Sequence, residues 1–162
     1  MSARARKFAL GLVCVAALAG LSQTDLGAKA NAAPEPSYGR QYYGSWSYQT
    51  TYYVRPYYYQ PYSGYSGYNQ HYVYYYPQVN PSYYYYYNPG TQTYWGRTPV
   101  KGDPSKPVYS MLKPEDRKKD LKDIPESAFP EPSTPPAIPE SKDNVKMEMP
   151  PKDLPPVKAE KK

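Results

Sequence analysis

Tyrosine limits what this chain can fold into more than any other residue. Twenty-two of its 23 tyrosines lie between Tyr38 and Tyr94, a stretch whose only full charges are Arg40 and Arg55. Isoleucine, leucine, valine and phenylalanine together supply only 13 of the 130 residues from Ala33 onward. Sequences in which these four residues fall below about 20 % lean towards disorder. The composition therefore predicts a mostly irregular chain, although one far richer in aromatic rings than ordinary disordered proteins.

The first 32 residues have the three parts of a cleavable secretory signal peptide. A short basic region, residues 4–7, precedes an uncharged apolar run at residues 8–21, and two A-x-A sites end at Ala30 and Ala32. Only small side chains fit the subsites of the signal peptidase. The apolar run has 14 residues, whereas a membrane-spanning helix needs about 20. We therefore predict cleavage after Ala32 and export of the remaining chain, rather than an uncleaved anchor.

Export removes the only cysteine, Cys14, together with five charged residues. The mature chain then has no disulfide, no thiolate nucleophile and no cysteine ligand for a metal. Of 20 basic and 14 acidic residues in the whole chain, 16 and 13 remain, so the net charge falls from +6 to +3. A balance this close favours neither a nucleic-acid partner nor recruitment to an anionic membrane. We expect no membrane span in the mature chain.

Composition divides the chain into four segments. Residues 1–32 are the signal peptide, 33–69 a Tyr/Gly/Ser low-complexity segment, 70–98 a Tyr-rich β meander, and 99–162 a Pro-rich tail of mixed charge. The tail holds 14 of the 21 prolines. In the tyrosine-rich part, an aromatic residue with high strand propensity is repeatedly interrupted by turn formers. The irregular spacing of these runs excludes a solenoid.

The meander is predicted from three short strands at residues 71–77, 83–88 and 92–97. An Asn-Pro-Gly-Thr sequence between the last two strands is typical of a tight turn, because proline presets one dihedral angle and glycine accepts a positive one. Alternation of side chains along a strand would place Tyr84 and Tyr86 on one face and their neighbours on the other. Three strands with one packed face are about the minimum for independent stability.

The tail has one predicted helix, at about residues 114–123. Pro114 suits the first helical position, two acidic residues follow it, and Pro125 ends the helix. Residues 130–139 read as extended polyproline II, and the last residues as a solvated end. The predicted fold is thus mostly irregular or disordered. Its ordered parts would be a small antiparallel meander or hairpin at about 70–98, one short helix and a tail rich in polyproline II.

Nothing in the sequence has the pattern of an enzyme. His71 is the only histidine and has neither a second metal ligand nor a triad partner nearby in sequence. The carboxylates alternate with lysines in the tail, which is typical of a solvated face rather than an acid–base pair. No phosphate-binding loop, dinucleotide fingerprint or zinc spacing is present. We predict a protein with no catalytic residues, no metal site and no cofactor.

Residues 85–95 resemble the second hairpin of a WW domain, in which a Tyr-rich strand and an Asn-Pro-x-Thr turn lead to a tryptophan. The resemblance implies that Tyr86 and Trp95 form a groove for proline rings, with Tyr84 on the same face. The first tryptophan of that family has no counterpart here, because Trp46 is too far upstream, and Trp95 stands one residue further from Pro99 than usual. We favour the other interpretation, a Tyr-rich hairpin whose aromatic rings pack on each other.

The second resemblance covers roughly residues 83–156 and is to uncharacterised small secreted proteins of planctomycete bacteria. It implies a secreted setting and no mechanism. It also implies that the tail lies across the tyrosine strands, with proline rings on aromatic faces. The blocks that carry it are Tyr94-Trp95-Gly96-Arg97, Tyr109-Ser110-x-Leu112, Asp116-Arg117, Asp123-Ile124-Pro125, Ala128-Phe129-Pro130, Ile138-Pro139 and Asp153-Leu154-Pro155.

These observations predict an exported, non-enzymatic structural or interaction protein of the periplasm, cell envelope or extracellular space. It would act through many weak tyrosine contacts with an envelope protein, a polysaccharide or further copies of itself. The alternative is a small aromatic binding module. Its site would be Tyr84, Tyr86 and Trp95, and its ligand a Pro-rich peptide or a glycan.

Overall fold

Seven strands of residues 39–103 and 105–153, the part of the chain that the computed structural model describes, form one antiparallel sheet. The predicted signal peptide and the last nine residues lie outside these ranges. The strands are β1 (Gln41–Tyr43), β2 (Ser47–Gln49), β3 (Tyr52–Tyr59), β4 (Asn69–Tyr76), β5 (Asn80–Asn88), β6 (Thr93–Pro99) and β7 (Ser110–Met111).

The strand order is β1-β3-β4-β5-β6-β7. β1 and β2 share one edge of β3: β1 pairs with its C-terminal half and β2 with its N-terminal half. The central strands follow one another as hairpins, with Tyr57 opposite His71 and Tyr74 opposite Tyr85. A bulge after Tyr86 shifts the register of β5 against β6. At Gly96, a Cβ would lie 2.9 Å from the carbonyl oxygen of Ser110, so glycine is what allows β7 to approach the edge of β6.

The alternation of tyrosines explains why these segments form strands. Along β3, whose sequence is YYVRPYYY, every second residue is buried, and β4 repeats the pattern. Successive side chains of a strand point to opposite faces, so each tyrosine run supplies rings to both sides of the sheet. Rings on neighbouring strands then contact each other, as Tyr43 and Tyr57 do with centroids 4.9 Å apart. Such cross-strand aromatic pairs stabilise antiparallel sheets.

The two faces of the sheet are covered differently. On one face, here the covered face, the rings of β3 to β6 are buried beneath the C-terminal segment, whose Ile138 and Met147 pack against them. On the opposite face, the segment after β7 buries Tyr85 and Tyr94 through Leu112 and neighbouring apolar side chains, and further tyrosines at the border of this cluster are only partly buried. The covered face comprises Tyr53, Tyr57, Tyr59, Val73, Tyr75, Tyr84, Tyr86 and Trp95.

The expectation of a mostly irregular chain was wrong. Strands occupy the predicted meander at 70–98, but they also occupy the segment that precedes it, where β1, β2 and β3 belong to the same sheet. The prediction counted only aliphatic residues and phenylalanine as core formers. Here the core is built from tyrosines, of which Tyr57 and Tyr86 are completely buried. A phenol ring buries as much apolar surface as these residues do, provided that its hydroxyl finds a partner.

The predicted helix at about 114–123 was also wrong. Three separate 3-10 turns take its place: η1 (Pro114–Asp116), η2 (Leu121–Asp123) and η3 (Glu126–Ala128). An isolated α-helix this short is marginal in water, because few hydrogen bonds offset the cost of its first turn. Short turns let the chain instead direct Leu121, Ile124 and Phe129 at the sheet.

Candidate functional site

The three residues predicted to bind a ligand, Tyr84, Tyr86 and Trp95, lie together on the covered face. The rings of Tyr86 and Trp95 are 5.0 Å apart between centroids. All three side chains are buried, with 3, 0 and 6 % of their surface exposed. Ile138 and Met147 belong to the same apolar cluster. The chain's own Pro-rich segment therefore occupies the aromatic surface on which the sequence placed a ligand groove.

Side chains of the first strand fasten this segment to the sheet. Gln41 donates a hydrogen bond from Nε2 to the carbonyl of Lys146 at 2.8 Å and accepts one at Oε1 from the backbone N–H of Glu148 at 3.1 Å. The hydroxyls of Tyr43 and Tyr109 both donate to the Glu148 carbonyl, at 2.9 and 2.7 Å. The backbone of residues 146–148 forms no regular strand, and these side chains satisfy its polar groups.

The phenol hydroxyls inside the sheet also satisfy one another. The hydroxyl of Tyr86 lies 3.1 Å from that of Tyr43 and 2.9 Å from that of Tyr109. Burial raises the pKa of Tyr86 well above its usual range, and the neighbouring phenol of Tyr109 raises it further. Burial raises the pKa of Tyr109 to about 12. These groups therefore stay uncharged at neutral pH and act as hydrogen-bonded core residues.

The opposite face presents the surface with the best geometry for contact with another molecule. Seven tyrosines on β1, β3, β4 and β5 are each partly exposed there, and several of their rings contact one another. The ring of Tyr74, for example, lies 5.4 Å from Tyr52, 6.1 Å from Tyr76 and 5.7 Å from Tyr87, between centroids. We call this surface the tyrosine face; it comprises Tyr42, Tyr52, Tyr58, Tyr72, Tyr74, Tyr76 and Tyr87.

The tyrosine face carries hydroxyls but no charge at neutral pH. Burial raises the pKa of Tyr74 to about 12, with a further contribution from the phenol of Tyr52. Burial also raises the pKa of Tyr76, against the opposing effect of its hydrogen bond with Tyr94. The face therefore offers apolar ring surface and neutral hydrogen-bonding groups. Such a surface suits ligands that have both apolar and hydroxyl-bearing faces.

A cleft of about 500 Å³ adjoins the tyrosine face at Tyr76. Its floor includes Tyr85 and Tyr94, and its far wall is the segment of the 3-10 turns, with Leu121 and Phe129. The hydroxyls of Tyr76 and Tyr94 are 2.8 Å apart at this floor. The volume lies within the range of about 300–1,000 Å³ that is usual for small-molecule sites.

Arg97 holds the wall of the cleft against the sheet. Its guanidinium lies 3.9 Å from the ring centroid of Tyr83 and 4.0 Å from that of Phe129. It donates two hydrogen bonds to the carboxylate of Glu126, at 2.8 and 2.5 Å. These bonds lower the pKa of Glu126 below its usual range. Stacking combined with a bidentate pair is a geometry that arginine provides and lysine does not.

His71, the single histidine, lies on the covered face with 4 % of its surface exposed. Its Nε2 is 3.2 Å from the hydroxyl of Tyr59. Burial lowers its pKa to about 4, so the imidazole is neutral at pH 7. Within residues 39–103 and 105–153, no three His, Cys, Asp or Glu side chains lie together in a way that would hold a metal ion. No helix of that same part of the chain is long and apolar enough to cross a bilayer.

The tyrosine face was not among the binding surfaces predicted from the sequence. The sequence feature that indicates it is the alternation in YYVRPYYY and HYVYYY. This alternation gives each strand a second row of tyrosines on the face opposite the buried row. The WW-like spacing pointed instead to the row that the tail covers. Alternation shows that there are two rows, but which of them is covered depends on where the distant tail docks.

Comparison with known proteins identifies no relative of the chain. No family model matches it, and neither a curated protein nor a solved structure does.

Proposed function

We propose that this chain is an exported, non-enzymatic interaction protein of the cell envelope, which makes many weak contacts through its tyrosine face. The observation that supports this proposal is the row of partly exposed phenol rings on β3, β4 and β5, among them Tyr52, Tyr72 and Tyr74. On the covered face, the equivalent rings are buried by the tail. The resemblance to secreted planctomycete proteins and the predicted signal peptide stay predictions; they agree with this setting.

The physical reason is the dual character of tyrosine. Each ring offers a large apolar area at a low cost in side-chain entropy, and its hydroxyl remains available to water or to a partner. Because no charged group lies on the face, its contacts would depend only weakly on salt. Several weak contacts made at once raise the overall affinity far above that of one contact. A repetitive envelope polymer is a partner of this kind.

Sedimentation with isolated cell envelopes tests the proposal. We expect the mature protein to pellet with the envelope, and a Tyr52→Thr/Tyr72→Thr/Tyr74→Thr variant to bind about 100-fold more weakly, within the range that multivalency supplies. Threonine keeps the strand propensity while removing the rings. A matched control, Tyr48→Thr/Tyr62→Thr, changes two exposed tyrosines outside the tyrosine face and should bind like the wild type. Equal binding by all three folded proteins would refute the proposal.

A second candidate function is a small aromatic binding module for a glycan or a Pro-rich peptide. The cleft beside Tyr76 favours it, because its volume of about 500 Å³ and its mixed aromatic and hydroxyl lining suit one sugar or proline ring. Amide chemical shifts of the cleft residues, followed during addition of a soluble oligosaccharide or a Pro-rich peptide, separate the two ligands. Shifts confined to Leu121, Ile124 and neighbouring residues would support the module, and no shift with either ligand would exclude it.

A further inference from the structure

Three buried polar atoms on the covered face have no hydrogen-bond partner among the described residues, and one of them is the hydroxyl of Tyr84. The other two, Nε1 of Trp95 and Nδ1 of His71, belong to neighbouring rings whose centroids lie 5.7 Å apart. Native structures leave few buried polar atoms unpaired, and each exception needs an explanation. An indole N–H can only donate, so whatever satisfies Trp95 must present an acceptor atom.

Both side chains border the same cavity, which has a volume of about 390 Å³ and opens at the edge of the sheet. Two further donors line it. Asn88 uses its Oδ1 to accept the backbone N–H of Gly90 at 2.8 Å, which leaves its amide NH₂ available to donate. Arg117 donates from Nε to the Leu112 carbonyl at 3.3 Å. The remaining lining residues are Met111, Pro136, Ala137, Ile138, Pro139, Glu140 and Ser141.

One carboxylate faces these donors across the cavity. Glu140 accepts a hydrogen bond from Nδ2 of Asn69 at 3.1 Å and lies 3.4 Å from the hydroxyl of Tyr59. Its φ of 59° lies in the left-handed region, which a residue with a side chain rarely adopts. These contacts hold the turn of residues 136–141 over the two unpaired nitrogens.

We propose that the cavity binds a small carboxylic acid that also carries a hydroxyl or ammonium donor. The ligand's carboxylate would accept hydrogen bonds from the guanidinium of Arg117 and the indole N–H of Trp95, since arginine pairs with carboxylates in a fork geometry. Its donor group would face Glu140, whose negative charge otherwise repels an anion. This site is separate from the tyrosine face, so the test of carboxylate binding does not depend on whether the proposed envelope contacts exist.

Nuclear magnetic resonance of the indole N–H tests the proposal on the wild-type mature protein. The probe is glucuronate, and glucose, which lacks the carboxylate, is its matched control. We expect the Trp95 Nε1–H resonance, assigned with a Trp46→Phe variant, to move saturably downfield with glucuronate, as hydrogen bonding requires, and to stay in place with glucose. Inorganic phosphate added separately shows whether any oxyanion suffices, in which case the carboxylate class is wrong.

Two single substitutions test which positive charge contributes to glucuronate binding. Arg117→Gln should weaken glucuronate binding about tenfold or more, because it removes a charge-assisted hydrogen bond. Lys106→Gln removes a similar positive charge on an exposed residue outside the cavity and should leave the affinity unchanged. An indole resonance that does not move with glucuronate in the wild type, or that moves equally with glucose, would overturn the proposal. Equal weakening by both variants would also overturn it, because binding would then follow net charge alone.

Discussion

Replacing Ile138 with alanine tests whether the Pro-rich tail is an integral layer of the fold. Ile138 has 1 % of its surface exposed and packs into the tyrosine cluster of the covered face. Truncation of a buried isoleucine to alanine costs about 2–5 kcal/mol, which includes the cavity left behind. A domain of this size has a total stability of about 5–15 kcal/mol. The Ile138→Ala variant should therefore lose a large fraction of the stability of the protein.

The part of the molecule that Ile138→Ala destabilises is as informative as the size of the stability loss. Two backbone hydrogen bonds join parts of this segment to each other: Ile138 N–H donates to the Val145 carbonyl at 2.8 Å, and Met147 N–H to the Pro136 carbonyl at 2.9 Å. If the tail detaches while the sheet stays folded, a loss of about 3 kcal/mol in stability raises the population of the detached state more than 100-fold. Exchange of the Met147 amide should then accelerate by that factor, and exchange of the β4 amides should change far less.

Urea unfolding and amide exchange of the wild type and two variants measure both quantities. Val145→Ala is the matched control, because Val145 lies in the same segment with 39 % of its surface exposed. A surface change of this kind should stay within about 0.5 kcal/mol. If Ile138→Ala cost no more than Val145→Ala, and Met147 exchanged at the same rate in both variants, the tail would not be packed on the sheet.

Three further predictions concern charges inside the fold. Burial lowers the pKa of His71 to about 4 in the folded chain, against about 6.5 when unfolded. Neutral His71 therefore contributes fully to the stability of the fold above pH 6.5, and this contribution is lost as the pH falls. That loss amounts to about 3 kcal/mol by pH 4, and His71→Gln should flatten the acid limb of stability in urea titrations by this amount. The pKa of Tyr109 is raised to about 12, so its contribution is complete below pH 10 and is lost as the pH rises through 12. This costs about 2 kcal/mol of stability at pH 12. Tyr109→Phe should therefore make the loss of stability at alkaline pH shallower, and phenolate absorbance should show one late-ionising tyrosine fewer in the variant than in the wild type. Arg97→Lys should lower the stability by about 1–2 kcal/mol in thermal unfolding, because lysine cannot stack on the rings or make the second hydrogen bond to Glu126. Glu126→Gln should cost less than about 1 kcal/mol, because the side chain of Glu126 is 70 % exposed. Equal costs for these last two changes would show that the ion pair, and not the stacking, is what Arg97 contributes.

Local sequence was sufficient to place the central strands. The period-two pattern of tyrosine around Val73 and along residues 83–88 marks β4 and β5, and the Asn-Pro-Gly-Thr turn joins β5 to β6. The same pattern correctly assigns Tyr84 and Tyr86 to one face. These features depend on backbone geometry and on residues close in sequence, so they can be predicted without knowledge of the rest of the chain.

The order of the remaining chain could not be predicted in this way. Aliphatic content suggested disorder, but the buried phenols contribute apolar area, and the hydroxyl of Tyr86 meets those of Tyr43 and Tyr109 inside the core. Those partners are 43 and 23 residues away along the chain. Composition measures how much apolar surface a chain holds, but it does not tell whether distant polar groups will meet.

By itself, the sequence determined that this chain has strands with two rows of tyrosines and a tail without a regular repeat. Only the tertiary structure decided which row is buried. Gln41, Tyr43 and Tyr109 bind the backbone of the tail at residues 146–148 over one face, and the other face keeps its rings partly exposed. The physical reason is that the tail has no side-chain period of its own, so its position is set by hydrogen bonds to side chains more than 30 residues away along the chain.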